Sequence, residues 1–170
     1  MRRLAFAVLV LVAWGAPSPA EAFDGSRKGF VLGFGAGYGS LNAQEFVHDH
    51  TSGLATRLEV GVGLDDRWMM HYAGKQVLDP GEDSHVQFLP MVGVTHYLKS
   101  EAGSLLLTAG GGVSLLGEHG QENPLGGRAL FVGGGYEFAR HWNVEVDYVN
   151  SSDTAATTHT FLVTVGALAY

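Results

Sequence analysis

Apolar and polar side chains alternate along eight stretches of this chain. In one stretch, the apolar set is Leu58, Val60, Val62 and Leu64, and the intervening set is Arg57, Glu59, Gly61 and Gly63. A two-residue period places such sets on opposite faces of a β-strand, and no stretch has the 3.6-residue apolar spacing of a helix. The pattern predicts strands at residues 29–41, 54–64, 68–78, 85–98, 104–116, 128–139, 142–150 and 158–170.

The connections between these strands alternate in length. The short ones are 65–67, 99–103 and 140–141, and the longer, polar ones are 42–53, 79–84, 117–127 and 151–157. An even number of strands with short turns at one end is typical of bacterial outer-membrane barrels, whose strands need about nine to eleven residues to cross the membrane. We therefore predict an all-β fold, a transmembrane eight-stranded antiparallel up-and-down β-barrel.

Alternation alone does not say which face points inward, because a soluble lipocalin-type barrel has its apolar face inside. The first strand helps, since Gly33, Gly35 and Gly37 lie opposite Phe34 and Tyr38. A narrow eight-stranded interior has little room for large side chains on every strand. We therefore expect the glycine-rich face inside and the large apolar side chains outside, against lipid.

Aromatic residues fall near the strand ends, as expected for belts at the two membrane interfaces. At the short-turn end these are Phe30, Trp68, Tyr97, Phe138, Trp142 and Tyr170, and nearer the longer connections they are Tyr38, Phe88, Tyr148 and Phe161. We predict interface positions for Phe30, Trp68, Phe138, Trp142, Tyr148 and Tyr170 in particular. With Tyr170 towards lipid, Val163 and Val165 would face inward, so the last strand needs either a bulge or an inward apolar patch.

The first 22 residues have the composition of a secretory signal. Two arginines precede an apolar run over residues 4–14, and Ala20-Glu21-Ala22 forms a small-x-small cleavage site. The apolar run is shorter than the roughly 20 residues of a membrane-spanning helix. We predict a cleavable signal peptide at residues 1–22 and an exported barrel domain at 23–170.

Residues 23–170 resemble the small OmpA-type outer-membrane β-barrel domains. The resemblance is carried by the hairpin sequences GVGLDDRW at 61–68 and GGGYEF at 133–138. Tyr170 is similar to the aromatic last residue that the barrel-assembly machinery recognises in that family. The resemblance implies an outer-membrane location, contact with outer-membrane lipid and lipopolysaccharide, and a monomer.

Seven ionisable side chains fall on the predicted inward face: Arg57, Glu59, His71, Lys75, Glu137, Glu145 and Asp147. An Arg or Lys facing lipid at mid-depth would cost roughly 2–4 kcal/mol, so the interior is the more favourable place. Arg57 and Lys75 are expected to reach across it to the acids on the sixth and seventh strands. Such pairing would close the interior, and the alternative is a small-ion pore with an acidic lining.

Composition excludes some classes of function. The formal net charge of −7 and the lack of a basic stripe argue against a nucleic-acid partner, and zero cysteines exclude disulfides and thiolate chemistry. The predicted outer connections carry several carboxylates and histidines, which are chemically able to bind divalent cations but are ordinary on a solvated surface. Those residues are Glu45, His48, Asp49, His50, Asp79, Glu82, Asp83, His85, Glu118, His119, Glu122, Asp153 and His159.

A lipid-modifying enzyme is a third alternative, because Ser151, Ser152 and Asp153 lie near His159 in the predicted fold. No Gly-x-Ser-x-Gly motif occurs, so we assign no catalytic residue, no metal ligand and no cofactor. The sequence favours an outer-membrane barrel with a structural or surface role and a charge-filled interior.

Overall fold

The structure is a computed structural model that describes residues 26–43, 50–79, 85–118, 125–152 and 157–170. Eight antiparallel strands form a closed barrel in sequence order, and β8 pairs with β1. The strands are β1 (Gly29–Ala43), β2 (His50–Gly63), β3 (Trp68–Leu78), β4 (His85–Tyr97), β5 (Ser104–Glu118), β6 (Leu125–Ala139), β7 (Trp142–Ser152) and β8 (Thr157–Ala169). The predicted all-β eight-stranded fold is confirmed. Among the described residues, no helix is long and apolar enough to cross a membrane.

Six of the strands, all except β3 and β4, extend further towards the long-connection end than the sequence predicted. β1 and β2 pair as far as Asn42 and His50, which shortens the predicted connection 42–53 to 44–49. In the hairpin of β5 and β6, Leu116 pairs with Leu125. The connection predicted at 117–127 therefore shortens to 119–124. Backbone hydrogen bonds form a β-ladder irrespective of side-chain polarity, so the polar residues that suggested loops continue the strands.

The two faces of the barrel differ as the glycines suggested. Large apolar side chains point outward, with Phe34 64% and Leu130 70% exposed. The inward face of β1 carries Gly33 and Gly35, and Gly35 lies opposite Gly166 where β1 meets β8. The seam between β1 and β8 therefore has glycines on its β1 side, which leaves interior space for long side chains from other strands.

Two aromatic residues lie on the opposite face from the one expected. Phe30, Trp68, Phe138 and Trp142 are exposed on the outer face at the short-turn end, and Tyr148 lies half-buried on the outer face towards the other end. The interface prediction for Tyr170 was wrong, because its side chain is only 4% exposed and points into the barrel, and Tyr97 is likewise buried.

The inward Tyr170 makes the last strand regular. Phe161, Val163 and Val165 face outward, and Leu162, Thr164, Gly166 and Leu168 alternate with them on the inside. The pairing of β8 with both neighbours runs without a register shift, so the bulge considered for this strand is not needed. The alternation of the strand overrides the preference of a terminal aromatic residue for the membrane interface.

Some predictions concern residues outside the described part of the chain. The signal peptide at 1–22 is one of them. The others are the connection residues Glu45, His48, Asp49, Glu82, Asp83, His119, Glu122 and Asp153.

Candidate functional site

The interior of the barrel is the candidate site, and the structure places all seven predicted ionisable side chains there. Each is no more than 4% exposed: Arg57, Glu59, His71, Lys75, Glu137, Glu145 and Asp147. Strand alternation puts them on one face, and closure of the sheet makes that face the inside. They form separate groups of ion pairs at different heights in the barrel.

Arg57 and Glu145 form an ion pair across the barrel. Asn143 joins both partners, since its Oδ1 accepts a hydrogen bond from Arg57 Nη2 at 2.9 Å and its Nδ2 donates to Glu145 Oε1 at 2.9 Å. The guanidinium lies over the glycine seam, where a Cβ on Gly166 would be 2.5 Å from Arg57 Nη2. The paired glycines therefore provide the space that Arg57 occupies.

Lys75 and Asp147 form a second pair, with Nζ 2.6 Å from Oδ2. The ammonium also lies 4.5 Å from the ring centroid of Phe131, in a cation–π arrangement. Both charged side chains are buried. They lie closer to the long-connection end of the barrel than the pair of Arg57 and Glu145 does. Lys75 thus has its opposite charge and an aromatic ring in place of water.

His71 and Glu59 form a third, looser group. His71 Nδ1 is 3.6 Å from Glu59 Oε1, and Glu59 Oε1 is also 3.9 Å from Arg57 Nε. The other ring nitrogen of His71 is 3.1 Å from Thr95 Oγ1, which donates to Thr108 Oγ1. A chain of polar contacts therefore connects β2 to β5 through the interior.

Glu137 is not brought to Arg57 or Lys75, contrary to one of the expected pairings. It forms an ion pair with Arg27 and accepts a hydrogen bond of 2.5 Å from the Tyr170 hydroxyl. The Arg27 guanidinium also lies 4.1 Å from the ring centroid of Tyr97. Arg27 precedes β1, so strand alternation gives no signal for its inward position.

The same guanidinium binds the short turns at this end of the barrel. It donates to the carbonyl oxygens of Asp66, Lys99, Ser100 and Glu101 at 2.8–3.1 Å. These carbonyls belong to the β2–β3 and β4–β5 turns. Arg27 therefore closes the short-turn end of the interior and holds two turns together.

An apolar plug fills the interior beyond Lys75 and Asp147. We use this name for Ala55, Val77, Leu89, Met91, Ala129, Phe131, Val149 and Leu162, which are 0–2% exposed. Beyond it, Gln87 Nε2 donates a hydrogen bond to Ser114 Oγ at 3.1 Å, and Gln87 Oε1 accepts one from Thr160 Oγ1 at 2.8 Å. Sequence reasoning missed the plug, although β4 is apolar on both faces around Leu89 and Met91, a pattern typical of a strand covered on both sides.

Most of the buried charges in the interior lie beside a charge of opposite sign. Among the buried residues that the structure describes, three cations (Arg27, Arg57, Lys75) face four carboxylates (Glu59, Glu137, Glu145, Asp147), with His71 beside Glu59. Desolvated charges are tolerated when they are paired and hydrogen-bonded. Together with the apolar plug, these side chains occupy the described interior of the barrel.

The residues considered for catalysis are divided between the two faces: Ser151 points inward, Ser152 and His159 point outward, and Asp153 lies outside the described residues. Ser151 and Thr158 bond each other inside the barrel, whereas His159 is on the outer face next to Tyr148. Adjacent positions on a strand point to opposite faces, so His159 cannot act as a base for Ser151. Within the described ranges, no group of three or more metal-ligating side chains comes together.

No protein-family model and no curated protein matches the chain. Its fold matches solved structures. Ail, the attachment invasion locus protein of Yersinia pestis, aligns with TM-score 0.54 and 17% identity over 83% of this chain and 99% of Ail. Ail bound to the heparin analogue sucrose octasulfate aligns with TM-score 0.57 and 16% identity, over 83% and 99%. Neisserial surface protein A aligns with TM-score 0.57 and 11% identity, over 84% and 97%. The chain therefore has the eight-stranded fold of these small outer-membrane β-barrels.

Proposed function

We propose that the protein is a monomeric, integral outer-membrane β-barrel with a closed interior, whose role is structural or lies in contacts at the cell surface. One observation carries the proposal. Large apolar side chains are exposed on the outside of every strand, and the buried charged side chains lie on the inside. A water-soluble domain rarely exposes continuous apolar surface of this extent, whereas a lipid bilayer requires it.

The similar structures support a surface role. Ail is the attachment invasion locus protein of its organism, and the neisserial barrel is a surface protein. In this chain, the residues that connect strands at the long-connection end include Glu45, Asp49, Glu82 and Asp83. Acidic residues that connect the strands of a rigid barrel suit contacts with cationic partners or divalent cations.

The first experiment is fractionation of cells that express the full chain, together with gel mobility of the extracted protein before and after boiling. We expect the protein in the outer membrane, with a band that shifts on heating because a folded barrel resists detergent. A periplasmic protein whose mobility does not depend on heating would overturn the proposal.

A pair of variants separates a lipid-facing surface from a water-facing one. Leu58 lies midway along β2 and is 55% exposed, and Leu64 lies in the short turn and is 58% exposed. In a membrane, Leu58→Arg should lower folding stability by roughly 2–4 kcal/mol and Leu64→Arg by about 0–1 kcal/mol. If both variants are as stable as the wild type, the outer face is not in lipid.

The pore alternative predicts a current that depends on interior charge. The apolar plug and the paired charges support a closed barrel instead, so we expect no conductance above that of a protein-free planar bilayer. A single-channel current that changes with Glu145→Gln or Asp147→Asn would favour the pore.

A further inference from the structure

A pocket that combines aromatic rings with polar groups lies on the outer face near the long-connection end of the barrel. It has a volume of about 410 Å³ and is lined by Ser40, Asn42, Tyr148, His159 and Phe161, from β1, β7 and β8. The sheet register explains its shape, since His159 lies between its cross-strand partners Asn42 and Asn150. Phe161 lies in the row below, between Ser40 and Tyr148.

Hydrogen bonds hold the imidazole ring of His159 in a defined position. Its Nδ1 lies 2.6 Å from the Tyr148 hydroxyl and 3.1 Å from Asn150 Nδ2. These two contacts fix the position of the ring beside Tyr148 and Asn150. The rings of Tyr148 and His159 are stacked, with centroids 6.0 Å apart and an interplanar angle of 12°. The pocket is thus organised before any ligand arrives.

The pocket distinguishes one side of the barrel from the other. On β3 and β4, the outward residues described at the same end are Gln76, Leu78, Val86 and Phe88, three of which are apolar. An aromatic belt alone would account for Tyr148 and Phe161, but it does not require two asparagines, a serine and a histidine on a surface exposed to lipid. Outward amide, hydroxyl and imidazole groups at this depth indicate a polar ligand.

We infer that this pocket binds the sugar-phosphate headgroup of an outer-leaflet glycolipid, an inference that rests on the outer-membrane location proposed above. Amide and hydroxyl groups beside aromatic rings match the hydroxyls and flat faces of sugars. The apolar face that continues below the pocket from Phe161 along the barrel matches acyl chains, which a soluble saccharide lacks. Arg128 is exposed on β6, paired with Ser152 of β7, and can contact a phosphate.

The test uses the purified full-length barrel in phospholipid vesicles with and without lipopolysaccharide. The measured quantity is the affinity for lipopolysaccharide relative to phospholipid. We expect preferential retention of lipopolysaccharide by the wild type. Tyr148→Phe and His159→Ala should each weaken it about three- to tenfold, the loss of about one hydrogen bond to the ligand or to its organising partner.

Matched controls are available on the same outer face at the other end of the barrel. Tyr136→Phe and His96→Ala remove the same chemical groups from β6 and β4, outside the pocket. They should bind lipopolysaccharide as the wild type does. Equal affinity in all four variants, or no preference of the wild type over phospholipid, would overturn the inference.

Two further readouts identify the cause of a negative result. A soluble, lipid-free headgroup saccharide that competes as strongly as intact lipopolysaccharide would overturn the assignment to a membrane lipid. Fractionation and heat-dependent mobility of the same variants test the location separately. A barrel that folds in the outer membrane without preferring lipopolysaccharide refutes this inference alone, and a barrel absent from that membrane refutes the proposed function.

Discussion

Arg27 and Glu137 form a buried ion pair although 110 positions separate them in the sequence. Arg27 precedes the first strand, and Tyr170, just after the last strand, binds the other oxygen of the same carboxylate. Both ends of the described barrel are therefore fastened to β6. This arrangement explains why the short-turn end is closed by residues from outside the strands.

Replacing Arg27 should destabilise the barrel strongly. Arg27→Ala leaves the Glu137 carboxylate buried without its counter-charge and removes four hydrogen bonds to turn carbonyls. Loss of one partner of a buried pair typically lowers the free energy of unfolding by about 3–5 kcal/mol. Urea unfolding in vesicles, followed by the fluorescence of Trp68 and Trp142, measures the change.

The neighbouring residue provides the control. Lys28 Nζ lies 3.7 Å from Asp66 Oδ2, with its side chain 61% exposed. Lys28→Ala should change the free energy of unfolding by no more than about 1 kcal/mol, as exposed pairs do. If Arg27→Ala is no more damaging than Lys28→Ala, the anchoring role of Arg27 is wrong.

The pair of Lys75 and Asp147 should depend on both partners being present. Lys75→Met leaves a buried carboxylate unpaired, and we expect a loss of about 3–5 kcal/mol. The double variant Lys75→Met/Asp147→Leu removes both charges and should recover most of that loss, because apolar groups of similar volume often replace a buried pair without penalty. The same unfolding measurement applies, and a double variant as unstable as the single one would contradict the pairing.

A methyl group at the seam should disturb the Arg57 layer. A Cβ on Gly166 would lie 2.5 Å from Arg57 Nη2 and 2.8 Å from the backbone oxygen of Phe34, which cannot retreat. Gly166→Ala should therefore destabilise by about 1–3 kcal/mol. At Gly134 the nearest atoms would be 3.6 and 3.7 Å away, so Gly134→Ala is expected to stay within about 0.5 kcal/mol of the wild type. Equal effects would show that the seam tolerates a side chain.

Asp65 in the first short turn should make stability depend on pH. Its Oδ1 accepts hydrogen bonds from the backbone nitrogens of Arg67 at 2.7 Å and Trp68 at 2.8 Å, and these lower its pKa from the ordinary 3.8. A lowered folded-state pKa stabilises the fold above the unfolded pKa, and that stabilisation is lost as the pH falls through the folded value.

Asp65→Asn provides the comparison for this effect. The stability difference between wild type and variant should be constant above about pH 5 and shrink as the pH falls below about 4. Urea unfolding between those pH values and pH 2 measures it. A difference that widens on acidification would contradict the assigned hydrogen bonds.

Period-two alternation was sufficient for the barrel and for the facing of most side chains. β3 occupies the predicted residues 68–78, and the inward placement of charges follows from parity along each strand. Parity groups Tyr97 with Thr95, and Tyr170 with Thr164 and Gly166, and the structure places both groups on the inward face. The prediction for Tyr170 went wrong because position near a strand end was given more weight than parity.

The remaining interior contacts depend on three-dimensional neighbours that alternation does not specify. Arg27 lies before the strands, and its partners come from two turns and β6. The preference of Glu137 for Arg27 over Arg57 is set by its height in the barrel, which depends on the register of strands rather than on their faces. The outer-face pocket around His159 likewise arises from three strands in register.

The pair of Arg57 and Glu145 spans the seam, because Arg57 is on β2, Glu145 is on β7, and β1 and β8 join between them. A chain in which β1 has not yet met β8 cannot form this contact or cover its charges. Partly closed barrels therefore gain little of the native free energy. The consequence is cooperativity: the barrel should fold and unfold in a single all-or-none transition, with seam closure and charge burial as one event.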